Sequence, residues 1–150
     1  MMWGCFQGNQ LGPLVLFPSG KINAINYCNM LEENFIPFLQ GLGSNVIFME
    51  DGAPIHTANY SKTWCQNHGI SSMKWPAQSP DLSPMENVWQ QLKTALDKRV
   101  PRPKNKEELL IALQEEWKVL GKKNRLDTLI KSMSKCICKV ISANGMPINY

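Results

Sequence analysis

Two acidic residues stand out because of where they fall along the chain. Asp51 follows the apolar run VIFM at 46–49, and Glu86 comes just after Ser83-Pro84, a typical helix start. Carboxylates at the ends of neighbouring elements are how proteins hold Mg²⁺ or Mn²⁺ for phosphoryl chemistry. The spacing therefore makes Asp51 and Glu86 candidate metal ligands. Glu50 is less suited, because neighbouring residues on a strand point to opposite faces.

Each acid also has an ordinary structural interpretation. Glu86 completes a capping box with Ser83, and Asp51 lies before Gly52, as a turn residue often does. His56, five residues after Asp51, either contacts a phosphate or caps a helix. The two acids alone therefore leave a metal site and purely local roles both open.

The elements that position Asp51 follow an α/β order. Short strands are predicted at 4–6 (GCF) and 12–17 (GPLVLF), and Asn23 opens a helix that Pro37 should kink or end early. The run at 46–49 is the next strand, and Asp51 comes at its carboxyl end.

The predicted elements after Asp51, which include those that position Glu86, are mostly helices. A short helix capped by Thr57 or Asn59 and a strand at 72–75 (SMKW) precede a proline-rich loop, and the helix that begins at Ser83 follows. Two more helices are predicted, one at 105–120 and one at 124–143. Asn105, with Glu108 three residues later, is expected to cap the first of them, and Gly121 is expected to end it. The last should bury the face formed by Leu126, Ile130, Met133, Ile137 and Val140.

Charge is divided unevenly between the two parts of the chain. Residues 1–92 hold three Lys/Arg and six acids, a net −3, whereas residues 93–150 hold thirteen Lys/Arg and six acids, a net +7. Such a basic half suggests a polyanion, usually nucleic acid, although solvated helix faces give the same pattern. The candidate DNA-binding residues are Lys98, Arg99, Arg102, Lys104, Lys106, Lys122, Lys123 and Arg125.

Composition narrows the protein class. A chain of 150 residues with 43% hydrophobic residues fits one globular domain. It contains no run long enough to span a membrane and no signal-peptide pattern at its start. The five cysteines are therefore expected to be reduced thiols, and their spacing completes no zinc set.

Two segments resemble the signature blocks of the Tc/mariner superfamily of DDE transposases. These are MEDGAPIHTA (49–58) and WPAQSPDLSPMENVWQQLK (75–93), and WGCFQGNQLGPLVLF (3–17) resembles the strand pair that precedes them. The resemblance implies an RNase H-like α/β fold, a mixed sheet with flanking helices and a helical C-terminal end. It also implies that Asp51 and Glu86 are the second and third metal-binding acids of a Mg²⁺- or Mn²⁺-dependent enzyme that cleaves and joins DNA.

One departure from that family pattern concerns the first catalytic acid. Residues 1–50 contain no aspartate, and Glu32 and Glu33 fall in a predicted helix rather than on a strand. The chain is therefore expected to be the C-terminal part of a transposase, without the first catalytic strand and the N-terminal helix-turn-helix domains. We expect a weak or incomplete metal site, no strand cleavage by the chain alone, and an exposed sheet edge prone to self-association.

The resemblance sets further expectations about organisation and partners. Residues 1–150 form a partial catalytic domain, with the acid blocks at 46–58 and 75–93 and a basic helical region at 93–143. DNA, specifically transposon ends, is the expected partner. A homo-oligomer and a mixed dimer with an intact transposase are candidate assemblies, and the expected location is nuclear. The alternatives are a domesticated DNA-binding module without chemistry and a decayed fragment without function.

Overall fold

The computed structural model describes residues 1–18, 20–43, 46–76, 79–122 and 125–146. The chain divides into two compact units, one formed by 1–4 and 15–79 and the other by 5–14 and 80–150. The order of helices and strands is α/β, as predicted, and the C-terminal part is helical. The described elements are β1 (Met2–Gln7), β2 (Gln10–Leu16), α1 (Ala24–Met30), α2 (Ile36–Gln40), β3 (Ile47–Phe48), α3 (Pro54–Thr57), α4 (Asn59–Asn67), β4 (Ser71–Ser72), α5 (Pro84–Asp97), α6 (Lys106–Lys122) and α7 (Leu126–Ser142).

The described strands form two small sheets. β1 pairs with β2 through the two-residue turn Gly8-Asn9, where Gly8 adopts φ +58°, a value that favours glycine. β3 pairs with β4 in parallel, with Ile47 opposite Ser71 and Phe48 opposite Ser72. β3 lies within the strand predicted at 46–49, whereas β4 shares only Ser72 with the strand predicted at 72–75.

Pro37 does not end the first helical segment. Asn23 caps α1, since its side chain accepts a hydrogen bond from the backbone N–H of Asn26 at 2.8 Å. A π-helical turn, Leu31–Phe35, then leads directly into α2, and the N–H of Ile36 bonds to the carbonyl of Leu31. A proline cannot donate to the preceding turn, and a widened π turn just before it lets the helix continue to Gln40.

The core of the first unit surrounds α1 and the π turn. Leu31 is fully buried and Tyr27 is 1% exposed. The ring of Phe35 packs against Trp3 at a centroid distance of 5.8 Å and against Phe48 at 4.7 Å. Since Phe48 lies in β3, this cluster fixes the strand that leads to Asp51.

Only some of the helix caps predicted for the rest of the chain are formed in the structure. Asn105 caps α6 as predicted, with its Oδ1 accepting from the N–H of Glu108 at 2.8 Å. Ser83 precedes Pro84 at the start of α5 but makes no side-chain cap hydrogen bond. The predicted caps Thr57 and Asn59 are also wrong, because Ala58 is the N-cap of α4.

The second unit packs α5, α6 and α7 together. Val88 and Leu92 of α5 are each 1% exposed, and the Trp117 indole donates to the carbonyl of Gly12 at 2.9 Å. The expected inner face of α7 is wrong at Ile130 and Ile137, which are 42% and 47% exposed. Leu126, Met133 and Val140 are less exposed, as predicted, and Leu129 and Cys136 take the places expected for the two isoleucines. Gly121 lies inside α6 rather than after it.

The described helices include none that is long and apolar enough to cross a membrane.

Candidate functional site

Asp51 lies in the short connection between β3 and α3. It is the third residue after β3, and α3 begins three residues later, at Pro54. Its Oδ1 accepts a hydrogen bond from the N–H of Ala53 at 3.0 Å and another from Nδ1 of His56 at 2.7 Å. The side chain nevertheless remains 68% exposed. The carboxylate is thus oriented through one oxygen while it stays open to solvent.

His56 is held in a partly buried pocket beside Asp51. Its side chain is 15% exposed, and its ring lies 4.6 Å from the Tyr27 ring, measured between centroids. Glu50 Oε2 lies 3.9 Å from His56 Nδ1 and accepts a hydrogen bond from the Tyr27 hydroxyl at 2.6 Å. Three side chains therefore form a connected network that ends on the exposed carboxylate of Asp51.

Burial is the largest influence on the pKa values of Glu50 and Tyr27, which form this network with His56. It raises the pKa of Glu50 above its ordinary value, while the Tyr27 hydrogen bond and His56 act in the opposite direction. Burial and the charge of Glu50 raise the pKa of Tyr27 as well. Tyr27 therefore remains a neutral hydrogen-bond donor throughout the physiological pH range.

Glu86 is positioned by the first turn of α5. It is the third residue of that helix, is exposed, and lines a cleft of about 420 Å³ that Asp81 and Lys93 also line. The backbone N–H groups of a helix N-terminus favour a carboxylate there. Because Ser83 makes no side-chain cap hydrogen bond, the reciprocal capping box considered for Glu86 is not formed.

The two candidate acids belong to different units, Asp51 to the first and Glu86 to the second. In the described ranges, no three His, Cys, Asp or Glu side chains are grouped so that they could hold a metal ion. Both side chains are exposed carboxylates, the oxygen donors that Mg²⁺ and Mn²⁺ prefer, so each fits a ligand role by its chemistry.

Some of the candidate DNA-binding residues already pair with other groups of the chain, and others are exposed to solvent. Arg99 donates to Glu115 and, at 3.1 Å, to Glu116, so its guanidinium is already paired. Arg102 donates to the carbonyl of Asp97 at 3.4 Å. The exposed remainder within the described residues is Lys98, Lys104, Lys106, Lys122 and Arg125, and Lys123 lies outside the described residues.

The network beside Asp51 was only partly visible in the sequence. The sequence predicts His56 only as a phosphate contact or a helix cap. Tyr27, Leu31, Phe35 and Leu39 recur every four residues, a spacing that predicts burial of Tyr27 and no polar partner for it. Tyr27 and Glu50 are 23 residues apart, so packing of α1 against the residues after β3 brings them together. No local pattern encodes that contact.

Comparison with known proteins bears on what these acids do. The family model described as "DDE superfamily endonuclease" matches residues 7–110, which include both Asp51 and Glu86. The chain belongs to the DDE superfamily of endonucleases. The matched segment ends within α6, so α7 lies outside it.

Individual relatives are transposases. The chain is 32% identical to the Tcb1 transposase of Caenorhabditis briggsae and 33% identical to the Tc1 transposase of Caenorhabditis elegans, each over the whole of this chain. It covers 54% of each relative, so it spans about half the length of these curated relatives.

Solved structures show the same fold. The Mos1 transposase catalytic domain with raltegravir and Mg matches 99% of this chain and 76% of that one, with a TM-score of 0.84 and 21% identity. The Mos1 paired end complex with Mn matches 96% of this chain and 43% of that one, also with a TM-score of 0.84. The predicted RNase H-like fold class and the resemblance to Tc/mariner transposases are therefore confirmed.

Proposed function

We propose that these 150 residues are part of a catalytic domain for DNA cleavage and strand transfer in DNA transposition. The observation that carries this proposal is the geometry of Asp51, a solvent-open carboxylate fixed through one oxygen at the end of a strand, within a chain of the DDE endonuclease family. The Mos1 structures that share the fold include one with Mg and one described as a strand transfer complex.

In this proposal, Asp51 and Glu86 each supply a carboxylate ligand to a catalytic Mg²⁺ or Mn²⁺. When bound, such an ion activates a water or a 3′ hydroxyl and stabilises the charge that develops on phosphorus. The work of the chain is to aim the carboxylates. His56 and the Ala53 N–H hold Asp51 Oδ1, and the first turn of α5 carries Glu86.

We further propose that these 150 residues alone bind the ion weakly and do not cleave DNA. The support is chemical, because residues 1–50 contain no aspartate to act as the first acid, and Glu32 and Glu33 lie in the π turn. With two carboxylates in place of three, one ion position loses a shared ligand.

A plasmid-nicking assay in Mn²⁺ tests the catalytic part of this proposal. The expected result is no nicking above background for the 150-residue chain. Nicking by this chain that disappears in Asp51→Ala would contradict the predicted inactivity while supporting the assigned site.

Metal binding is tested separately through the EPR signal of free Mn²⁺, which falls as the ion binds. Asp51→Ala and Glu86→Gln are expected to weaken binding. Asp97→Asn is the matched control, since Asp97 is an exposed acid at the last position of α5. Equal binding by all these variants would refute the ligand assignment.

A second candidate function is DNA binding without chemistry. The observation that favours it is a group of exposed lysines between the end of α5 and the start of α6. These are Lys98, Lys104 and Lys106. Phosphate contacts release counterions, so affinity for duplex DNA should fall linearly with salt on a log–log plot, with a slope of about −0.9 per contact.

The slope of log affinity against log salt concentration provides the test. Replacing Lys98, Lys104 and Lys106 together by Ala should flatten it by about 2–3 in fluorescence anisotropy with random duplex DNA. Replacing Lys21, Lys62 and Lys74 by Ala is the matched control, because it removes the same charge from exposed lysines of the acidic half. An equal change in both triple variants would exclude a specific basic surface.

The remaining proposals concern partners and location. We propose transposon-end DNA as the partner, association with a second copy or with an intact transposase, and a nuclear location. Sedimentation velocity of the chain, alone and mixed with an intact relative, measures the association directly, and an unchanged monomer in both samples would contradict it.

A further inference from the structure

The exposed carboxylate of Asp51 is restrained more than its position suggests. An aspartate on a turn normally samples several rotamers, and fixing one of them has an entropic cost. Here, within the described residues, the two hydrogen bonds accepted by the side chain both end on Oδ1, from Ala53 N–H at 3.0 Å and His56 Nδ1 at 2.7 Å. Since the side chain is 68% exposed, Oδ2 is the oxygen left for a ligand.

The imidazole that restrains Asp51 is itself held in place. His56 lies in α3, its side chain is 15% exposed, and the Tyr27 ring packs against it at 4.6 Å. The other ring nitrogen does not take part, because the contacts to Asp51 Oδ1 at 2.7 Å and to Glu50 Oε2 at 3.9 Å both involve Nδ1. Because an ionised carboxylate only accepts hydrogen bonds, the 2.7 Å contact to Asp51 Oδ1 assigns the donating proton to Nδ1.

Glu50 links this arrangement to the core. Its Oε2 accepts from the hydroxyl of Tyr27, which is 1% exposed. Tyr27 in the core therefore holds Glu50, and Glu50 faces the Nδ1 edge of the His56 imidazole. The imidazole in turn holds the carboxylate of Asp51. Such hydrogen-bonded outer partners set the orientation of metal-binding side chains.

We infer that His56 is a positioning residue for Asp51: its Nδ1–H holds Oδ1 so that Oδ2 faces a divalent cation, and Tyr27 with Glu50 holds the imidazole. This inference rests on the proposed role of Asp51 as a metal ligand. It assigns His56 no direct contact with the cation or with DNA.

The experiment compares three replacements of His56 by Mn²⁺ EPR titration. The amide nitrogen of Asn reaches about where Nδ1 lies, whereas the amide of Gln reaches further, towards the position of Nε2. His56→Ala and His56→Gln should each weaken Mn²⁺ binding about tenfold, the lower end of the range for such outer partners. His56→Asn should remain within about threefold of the unmodified chain, because it keeps the donor.

A second readout needs no metal. Nitrogen-15 NMR of the metal-free chain should show His56 with its proton on Nδ1, and Asp51→Asn should reduce that preference because the carboxylate acceptor is gone. His68→Asn is the matched control, since His68 pairs with Glu32 at 2.9 Å in the same unit and makes no contact with Asp51. It should change neither readout.

The outcomes separate the inference from the proposed function. If Asp51→Asn leaves Mn²⁺ binding unchanged, the ligand role of Asp51 fails, and the inference fails with it. If Asp51→Asn weakens binding but His56→Ala does not, only the inference fails. Equal weakening by His56→Asn and His56→Gln, with equal losses of thermal stability, would show that ring packing rather than the Nδ1–H matters. That result would also overturn the inference.

Discussion

Removing the hydroxyl of Tyr27 is expected to destabilise the chain measurably. The hydroxyl donates to Glu50 Oε2 at 2.6 Å, Tyr27 is 1% exposed, and the Glu50 side chain is 15% exposed. Tyr27→Phe deletes the donor but keeps the ring that packs on His56. The substitution thus isolates one buried hydrogen bond to a carboxylate.

The size of the effect follows from the charge and exposure of the acceptor. Hydrogen bonds to charged groups contribute about 1.5–3 kcal/mol, against about 0.5–1.5 kcal/mol for neutral pairs. Because Glu50 keeps some contact with solvent, water can replace part of the lost bond, and we expect a loss of about 1.5–2 kcal/mol. The same substitution should raise the pKa of Glu50 further, since the Tyr27 hydrogen bond opposes the effect of burial.

Urea unfolding followed by tryptophan fluorescence measures this loss as a change in the free energy of unfolding. Tyr60→Phe is the matched control, because Tyr60 lies in the same unit and is 50% exposed, and its loss should stay within about 0.5 kcal/mol. A double-mutant cycle with Glu50→Gln should show coupling between the two residues. Equal losses for Tyr27→Phe and Tyr60→Phe, or a coupling near zero, would refute the reasoning.

Three further predictions use single features of the structure. Asn105→Ala should cost about 1 kcal/mol of unfolding free energy, because it removes a side-chain cap, whereas Ser83→Ala should be close to neutral, because Ser83 forms no such cap. Leu31→Ala should cost about 2–5 kcal/mol in the same measurement, since Leu31 is fully buried, and a smaller loss would show that the π turn collapses into the cavity. Alkylation at pH 8, followed by mass spectrometry, should label exposed Cys138 first and Cys5 slowly, since burial raises the pKa of Cys5 to about 12. Faster labelling of Cys5 than of Cys138 would contradict that order.

Local sequence signals predicted the elements that carry the two acids. An apolar run ending in an acid indicated a strand before Asp51, and Ser-Pro followed by Glu indicated a helix start at Glu86. Asn105 was recognised as a cap by its spacing to Glu108. These signals succeed because strand ends and helix caps depend on residues within about four positions of one another.

Periodicity was less informative where a helix is apolar on more than one face. In α7, the predicted inner face includes Ile130 and Ile137, but the less exposed side contains Leu129 and Cys136 instead. Both sets fit a period of 3.6 residues, so the sequence cannot choose between them. The packing of α7 against α5 decides which side is covered.

The sequence by itself thus determined the family, the α/β order and the two candidate acids, because short motifs and local propensities encode them. Only the tertiary structure decided that His56 holds Asp51 and that Tyr27 and Glu50 support His56. Tyr27 lies 23 residues before Glu50, and a stripe of apolar spacing reveals that a tyrosine is buried but not which group its hydroxyl meets. That partner depends on how separate elements pack, and such contacts are set by the fold as a whole rather than by neighbouring residues.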